Sequence, residues 1–204
     1  QTLIDAGHYF HGPRSDRVLS DEEKRKLRDI TAAIKLSIAL FTGASVSTVR
    51  EPESFDADDS PIHTKVDYEM ANIILSAIAR GPYARSSSEV SKPIYRGLAL
   101  PVAVARALKV GDVFGRDLSS WTKSQSQASK FARGNAGAKK KDPNFLLGTL
   151  SVMFEIKKPK YGGQIENYSE YYNEEEVIRS GQVRITKITE VEGRVSIVYE
   201  CEEI

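Results

Sequence analysis

Between residues 20 and 43 apolar side chains recur every three or four positions, so that Leu27, Ile30, Ile34, Ile38 and Phe41 share one helical face. Ser20 and Glu23 have the Ser-x-x-Glu spacing of a capping box at its start, and Gly43 stops it. Residues 44–59 are polar, with Pro52 and the acidic cluster Asp56, Asp58 and Asp59. Ser60-Pro61 then reads as an N-cap with proline in the first helical position, which predicts a second helix over 61–80. Its apolar stripe is Val66, Met70, Ile73, Ile74, Ala77 and Ile78, and Gly81-Pro82 ends it. After Pro93 the texture changes to β-branched and aromatic runs, which predict strands over 94–98, 145–157, 163–167, 176–179, 182–191 and 194–201. The last two are expected to form a hairpin through Glu192-Gly193, where glycine supplies a positive φ. Short helices are predicted over 101–108 and 125–132, and the first twenty residues, with Gly7, Gly12 and Pro13, read as an arm or loop.

No segment repeats at a fixed period, and strands do not alternate regularly with helices, which disfavours a parallel doubly wound sheet. The expected class is α+β, with N-terminal helices packed on a mostly antiparallel two-sheet β core. One domain is expected over residues 1–204, its helical part over 1–90 and its β-rich part over 91–204.

Composition narrows the function. Of the 204 residues 40% are hydrophobic and 28% charged, which fits a soluble globular chain and excludes a disordered one or a fibre. No apolar run is long enough to span a membrane, and the start lacks the basic and apolar regions of a secretory signal. The first residue is Gln1 rather than Met, the mark expected of a processed product or a piece of something longer. The single cysteine, Cys201, excludes an internal disulfide and a cysteine-based zinc site. His8, His11 and His63 lack the spacing of a helical zinc motif, so no metal is expected. The net charge is only +1, yet 10 acidic residues face 4 basic ones from Glu166 onward, while 25 basic and 18 acidic residues precede it. Such a split attracts an anionic ligand to one part and a cationic group to another.

Three segments could carry chemistry. Arg96, in Tyr95-Arg96-Gly97 at the end of a strand, either forms a surface ion pair or grips a phosphate with its guanidinium fork while Gly97 lets the ligand approach the backbone. In Ser119-Ser120-Trp121-Thr122-Lys123-Ser124 the hydroxyls are either a helix cap beside a core tryptophan, or a pair on one strand face that orients a carboxylate. The pair is Ser120 with Thr122, or Thr122 with Ser124. In Tyr171-Tyr172-Asn173-Glu174-Glu175-Glu176 the acidic run is either a solvated face or two carboxylates, Glu174 and Glu176, that strand alternation aims to one side. One of such a pair stays ionised beside a developing cation, and the other, its pKa raised by its neighbour, handles a proton.

In this order the segments resemble the arginine-serine-glutamate class of mono-ADP-ribosyltransferases, which includes binary toxins, vertebrate arginine-specific enzymes and tailed-phage enzymes. The resemblance covers about residues 93 to 200, including Lys158-Pro159-Lys160, Gly162-Gly163, Ser169 and Phe131. It implies that Arg96 binds the phosphates of NAD and that the Ser-Thr-Ser motif falls on Ser120-Trp121-Thr122, with Ser120 holding the catalytic glutamate and the nicotinamide ribose. Trp121 in place of the small middle residue is a variation of phage-like members. The NAD site would comprise Arg96, Gly97, Ser120, Trp121, Thr122 and Glu176, without metal. Glu176 would be the catalytic carboxylate and Glu174, two before it, would orient and deprotonate the acceptor, which implies arginine on a protein. Tyr168, Tyr171 and Tyr172 would form the turn that recognises the substrate, and the basic stretch 133–144, with Lys139-Lys140-Lys141, falls where the family has a phosphate and nicotinamide loop.

The leading expectation is therefore transfer of ADP-ribose from NAD to arginine of a bacterial host protein, in the host cytoplasm or after delivery from a virion or a larger protein. NAD hydrolysis or transfer to nucleic acid by the same residues is the second. A non-catalytic module whose lysine-rich loop binds a partner is the third.

Overall fold

The computed structural model describes residues 20–42, 49–50, 52, 63–83, 91–115, 118–133, 148–165, 174–192 and 195–204. Helix α1, Asp21–Thr42, begins at the predicted capping box: Ser20 N donates to Glu23 Oε2 at 2.8 Å and Glu23 N to Ser20 Oγ at 3.2 Å. Ile30, Ile34, Ile38 and Phe41 form its buried face as the spacing predicts.

Helix α2, Lys65–Ala79, departs from the prediction twice. Thr64 and Asp67 supply a second capping box, with Thr64 N donating to Asp67 Oδ2 at 2.7 Å, so the helix starts four residues after Pro61, which lies outside the described residues. Its buried face is Tyr68, Ala71, Ile74, Leu75, Ile78 and Ala79, whereas Val66, Met70 and Ile73 are exposed. Leu75 and Tyr68 lie nearly opposite Val66 and Met70 around the helix, and the larger combined area of the Tyr68–Leu75–Ile78 face wins the contact with α1.

The strands are β1 (Ile94–Pro101), β2 (Val113–Phe114), β3 (Ser119–Thr122), β4 (Thr149–Ile156), β5 (Gly163–Gln164), β6 (Glu176–Arg179), β7 (Val183–Glu190) and β8 (Ile197–Glu203), with helices α3 (Val102–Ala107) and α4 (Gln125–Ala132). The sheet order is β2-β7-β8-β4-β1-β3-β6-β5, antiparallel throughout except for β4 beside β8. Its two halves meet where β1 touches β3, at the single pair Tyr95↔Thr122. This is the expected α+β plan, the two halves of the core joined at one point into an eight-stranded sheet.

The smaller differences are local. Strand β2, only two residues long, carries no periodic signal, and it is seen through Ile185 N donating to Asp112 O at 2.9 Å. The β7–β8 hairpin is wider than a tight Glu192-Gly193 turn, since the strands end at Glu190 and resume at Ile197; Gly193 lies outside the described residues. Residues 145–147 and 166–167, read as strand, also lie outside them. No described helix is long and apolar enough to cross a membrane.

Two contacts place the site. Ile178 of β6, with Leu118 and Ile165, joins the α1–α2 cluster, which seats the helices on the β3–β6 half of the sheet. On the other half α4 lies against β1 so closely that a Cβ on Gly97 would fall 1.7 Å from the carbonyl oxygen of Ala128. Gly97 is therefore dictated by helix–strand packing. Gly97→Ala is expected to lower stability by about 3 kcal/mol or more, because backbone must move to admit the methyl. Denaturant unfolding checks this, and an unchanged midpoint contradicts the packing.

Candidate active site

Strands β3 and β6 pair in register over Ser119↔Arg179, Ser120↔Ile178, Trp121↔Val177 and Thr122↔Glu176. Side chains alternate, so Ser120 and Thr122 share a face with Glu176 and Ile178. Ser120 reaches diagonally along that face, and its Oγ donates to Glu176 Oε1 at 2.5 Å. Thr122 Oγ1 donates to the backbone carbonyl of Glu174, and Ser124 N donates to Thr122 Oγ1 at 3.0 Å. The hydroxyl pair that holds the glutamate segment is thus Ser120 with Thr122. Ser124 instead caps α4, accepting from Gln127 N at 3.3 Å.

Glu174 and Glu176 come together by a different route from strand alternation. Glu174 precedes the strand, and Glu175 sits in the left-handed region at φ 48°, which breaks the two-residue period. Lys123 N donates to Glu175 O at 3.1 Å and fixes this turn. The Glu174 carboxylate is met from α4, where Gln127 Nε2 donates to its Oε1 at 3.2 Å.

Trp121 and Arg179 lie on the opposite face. The indole is buried, its Nε1 donating to Ser119 Oγ at 3.0 Å, and the Arg179 guanidinium stands 5.6 Å from its ring centre and 3.4 Å from the buried Glu203 carboxylate. The Trp121 ring therefore packs in the core, because strand alternation turns it away from Ser120 and Thr122, while the residue still contributes to the lining of the hollow beside them.

A hollow of about 250 Å³ opens beside the hydrogen-bonded pair, lined by Arg50, Arg96, Gly97, Ser120, Thr122 and Phe131 among others. A larger one, about 380 Å³, lies between Arg106 and Glu190, away from these groups. The smaller hollow is the candidate site because two of the three segments singled out in the sequence, Arg96-Gly97 and Ser120 to Thr122, line it, and because Ser120 of that lining bonds the perturbed Glu176 carboxyl of the third. Arg50 is the residue that sequence reading passed over. Asn72 Nδ2 of α2 donates to Val49 O at 2.8 Å, and the Arg50 guanidinium lies 5.4 Å from the Phe41 ring centre, so the helical part delivers a cation to the hollow. Nothing in the polar stretch around Arg50 announces this. Tyr168, Tyr171, Tyr172 and Lys139 to Lys141 lie outside the described residues.

Burial, above all, raises the Glu176 carboxyl from an ordinary 4.5 to about 7; the Ser120 hydroxyl opposes the rise, the Glu174 carboxylate adds to it and the Arg50 charge opposes it. Burial also raises Glu174, against the pull of the Gln127 amide and the Lys130 charge. Among the described residues no group of three or more His, Cys, Asp or Glu side chains gathers as a metal site.

No family model matches the chain, and no curated protein sequence matches it. Solved structures do. Vis toxin, an ADP-ribosyltransferase from Vibrio splendidus, aligns with a TM-score of 0.56 and 17% identity over 97% of this chain and 90% of its own. Exoenzyme S from Pseudomonas aeruginosa, bound to 14-3-3 protein beta and carba-NAD, gives 0.53 and 16% over 98% and 86%. C3stau2 from S. aureus, with NAD, gives 0.52 and 12% over 94% and 99%. Vis is also known in complex with agmatine. The chain has the ADP-ribosyltransferase fold.

The raised carboxyl carries a stability consequence. A folded value near 7 against 4.5 means that the folded chain binds the proton more tightly, so the penalty is nearly absent below 4.5 and complete above 7. Glu176→Gln is expected to stabilise the protein more at about pH 8 than at about pH 4.5, by roughly 3 kcal/mol. Equal stabilisation at both pH values, measured by denaturant unfolding, contradicts the burial of an ionisable carboxyl here.

Proposed function

We propose that the protein is an NAD-dependent mono-ADP-ribosyltransferase acting on protein arginine. The observation that carries this reading is the 2.5 Å bond from Ser120 to Glu176 at the edge of the hollow that Arg96 lines, on a fold shared with ADP-ribosyltransferases.

The hollow has room for the nicotinamide-ribose end of a dinucleotide and leaves the rest along its open side. Arg96 and Arg50 supply fixed positive charge for the diphosphate, and a planar guanidinium pairs two phosphate oxygens at once. When the glycosidic bond breaks, nicotinamide leaves with the bonding pair and the ribose C1′ develops positive charge. The Glu176 carboxylate stabilises that charge, and Ser120 keeps the carboxylate in one orientation. Catalysis requires Glu176 ionised. A nicotinamide ring that arrives cationic favours this ionisation, so the group that titrates near 7 in the free protein is drawn down in the complex.

The acceptor follows from Glu174. A second carboxylate beside the reacting carbon pairs with a guanidinium and accepts the proton released as its nitrogen attacks C1′. Burial, which raises the Glu174 carboxyl, makes it a better base. Agmatine, bound by the Vis toxin, is a small guanidine and a suitable model acceptor.

Incubation of the protein with labelled NAD and a bacterial lysate is expected to label arginine side chains, located by mass spectrometry. Glu176→Gln should lower the rate by about 10²–10³-fold. Below neutrality kcat/KM should rise about tenfold per pH unit and level off above about 7, the titration of Glu176 in the free protein. Label on nucleic acid, or free ADP-ribose without labelled protein, contradicts the arginine assignment. Full activity of Glu176→Gln contradicts the catalytic one.

A further inference from the structure

Helix α4 brings two side chains to Glu174 that have no part in the scheme above. Gln127 Nε2 donates to Glu174 Oε1, and Lys130, one turn further along, adds a positive charge that Glu174 feels. The backbone of Glu174 is tied to the same unit, because its carbonyl accepts from Thr122 Oγ1. The bonds then close a ring: Ser124 N donates to Thr122 Oγ1, and Gln127 N donates to Ser124 Oγ. Glu176 is held separately, by Ser120. Two neighbouring carboxylates thus have independent anchors, one on strand β3 and one on helix α4.

The anchor on α4 is itself fixed. The helix meets β1 backbone to backbone at Gly97, and Ala128 and Ala132 are fully buried behind Gln127. A glutamate side chain left to itself samples many rotamers, and an amide on one carboxylate oxygen removes most of that freedom while leaving the other oxygen for a ligand.

Taking the arginine-transferase reading of this site as the basis, we propose that Gln127 is a positioning residue, holding Glu174 for the acceptor and thereby setting how ADP-ribose divides between a guanidine and water. In both reactions the bond from C1′ to the nicotinamide nitrogen breaks and nicotinamide takes the electron pair. With a guanidine, nitrogen forms the new bond to C1′ and its proton passes to Glu174 and on to solvent. With water, oxygen forms the bond and the proton goes to solvent directly, so hydrolysis has less need of an aimed Glu174. Cleavage depends on Glu176 in either case, so its ionisation cancels in the ratio of the two products.

The test is competition between the two acceptors, with labelled NAD, excess agmatine and the full chain. Gln127→Leu keeps the bulk and removes the donor; the ratio of ADP-ribosyl-agmatine to free ADP-ribose is expected to fall about tenfold, the effect of losing one hydrogen bond to a charged group. Gln127→Glu is the second variant. Its carboxyl can donate only when protonated, so its ratio should be higher at about pH 5 than at about pH 8, the reverse of the wild type, whose Glu174 must be ionised. A role confined to folding lowers both products together and leaves the ratio and its pH trend unmoved, and that result overturns the assignment of Gln127 alone. A wild type that forms neither product overturns the transferase reading and this assignment with it.

Discussion

Burying Glu176 costs free energy, because the ionised carboxylate exchanges hydration for one hydroxyl bond and a guanidinium that acts from a distance. A structure tolerates that cost only where the surroundings cannot relax, and here they are fixed from two sides. On the face toward the hollow the Ser120 hydroxyl is committed to the carboxylate. On the opposite face Trp121, Ser119, Arg179 and Glu203 form a buried polar and aromatic network that locks the β3–β6 pair. A slip of one residue between these strands would carry Trp121 to the face toward the hollow and Ser120 into the core, so the register and the site stand or fall together.

The remaining groups arrive from elements far apart in the chain, each through packing. Helix α2 holds Val49 through Asn72 and so sets Arg50 at the hollow. Strand β1 carries Arg96 and, through the missing Cβ of Gly97, lets α4 close on the sheet. Helix α4 in turn delivers Gln127 to Glu174. The hollow therefore lies where the helical part, the two sheet halves and α4 meet, near the single β1–β3 pair. A seam of this kind leaves backbone and side-chain groups available to a ligand that continuous strand pairing would have used up.

Much of this was legible from residue patterns, and the exceptions have physical causes. Helix α4 and strand β6 have the predicted bounds, since a cap, an alanine face and a four-residue apolar strand are signals carried by neighbouring residues. The buried face of α2 differs from the expected stripe because that helix is apolar on more than one side, and periodicity does not say which side meets α1. Ser120, Thr122, Glu174 and Glu176 were legible as a group, while the turn at Glu175 that joins the two carboxylates was not, because a left-handed glutamate has no sequence signature. Arg50 and Gln127 were invisible for a further reason. Each gains its place only through a long-range contact, with Asn72 holding its chain neighbour in one case and Glu174 bonded to its side chain in the other.

In the proposed function the Ser120–Glu176 pair and Arg96 serve one bound dinucleotide. A crystal structure with carba-NAD, an analogue whose glycosidic carbon cannot be cleaved in the same way, tests it most directly. The diphosphate is expected against the Arg96 guanidinium and the nicotinamide-bearing ring carbon facing the Glu176 carboxylate, with the Ser120 bond retained. Density for the analogue in the hollow near Arg106, or a dinucleotide whose ring carbon faces away from Glu176, would contradict it.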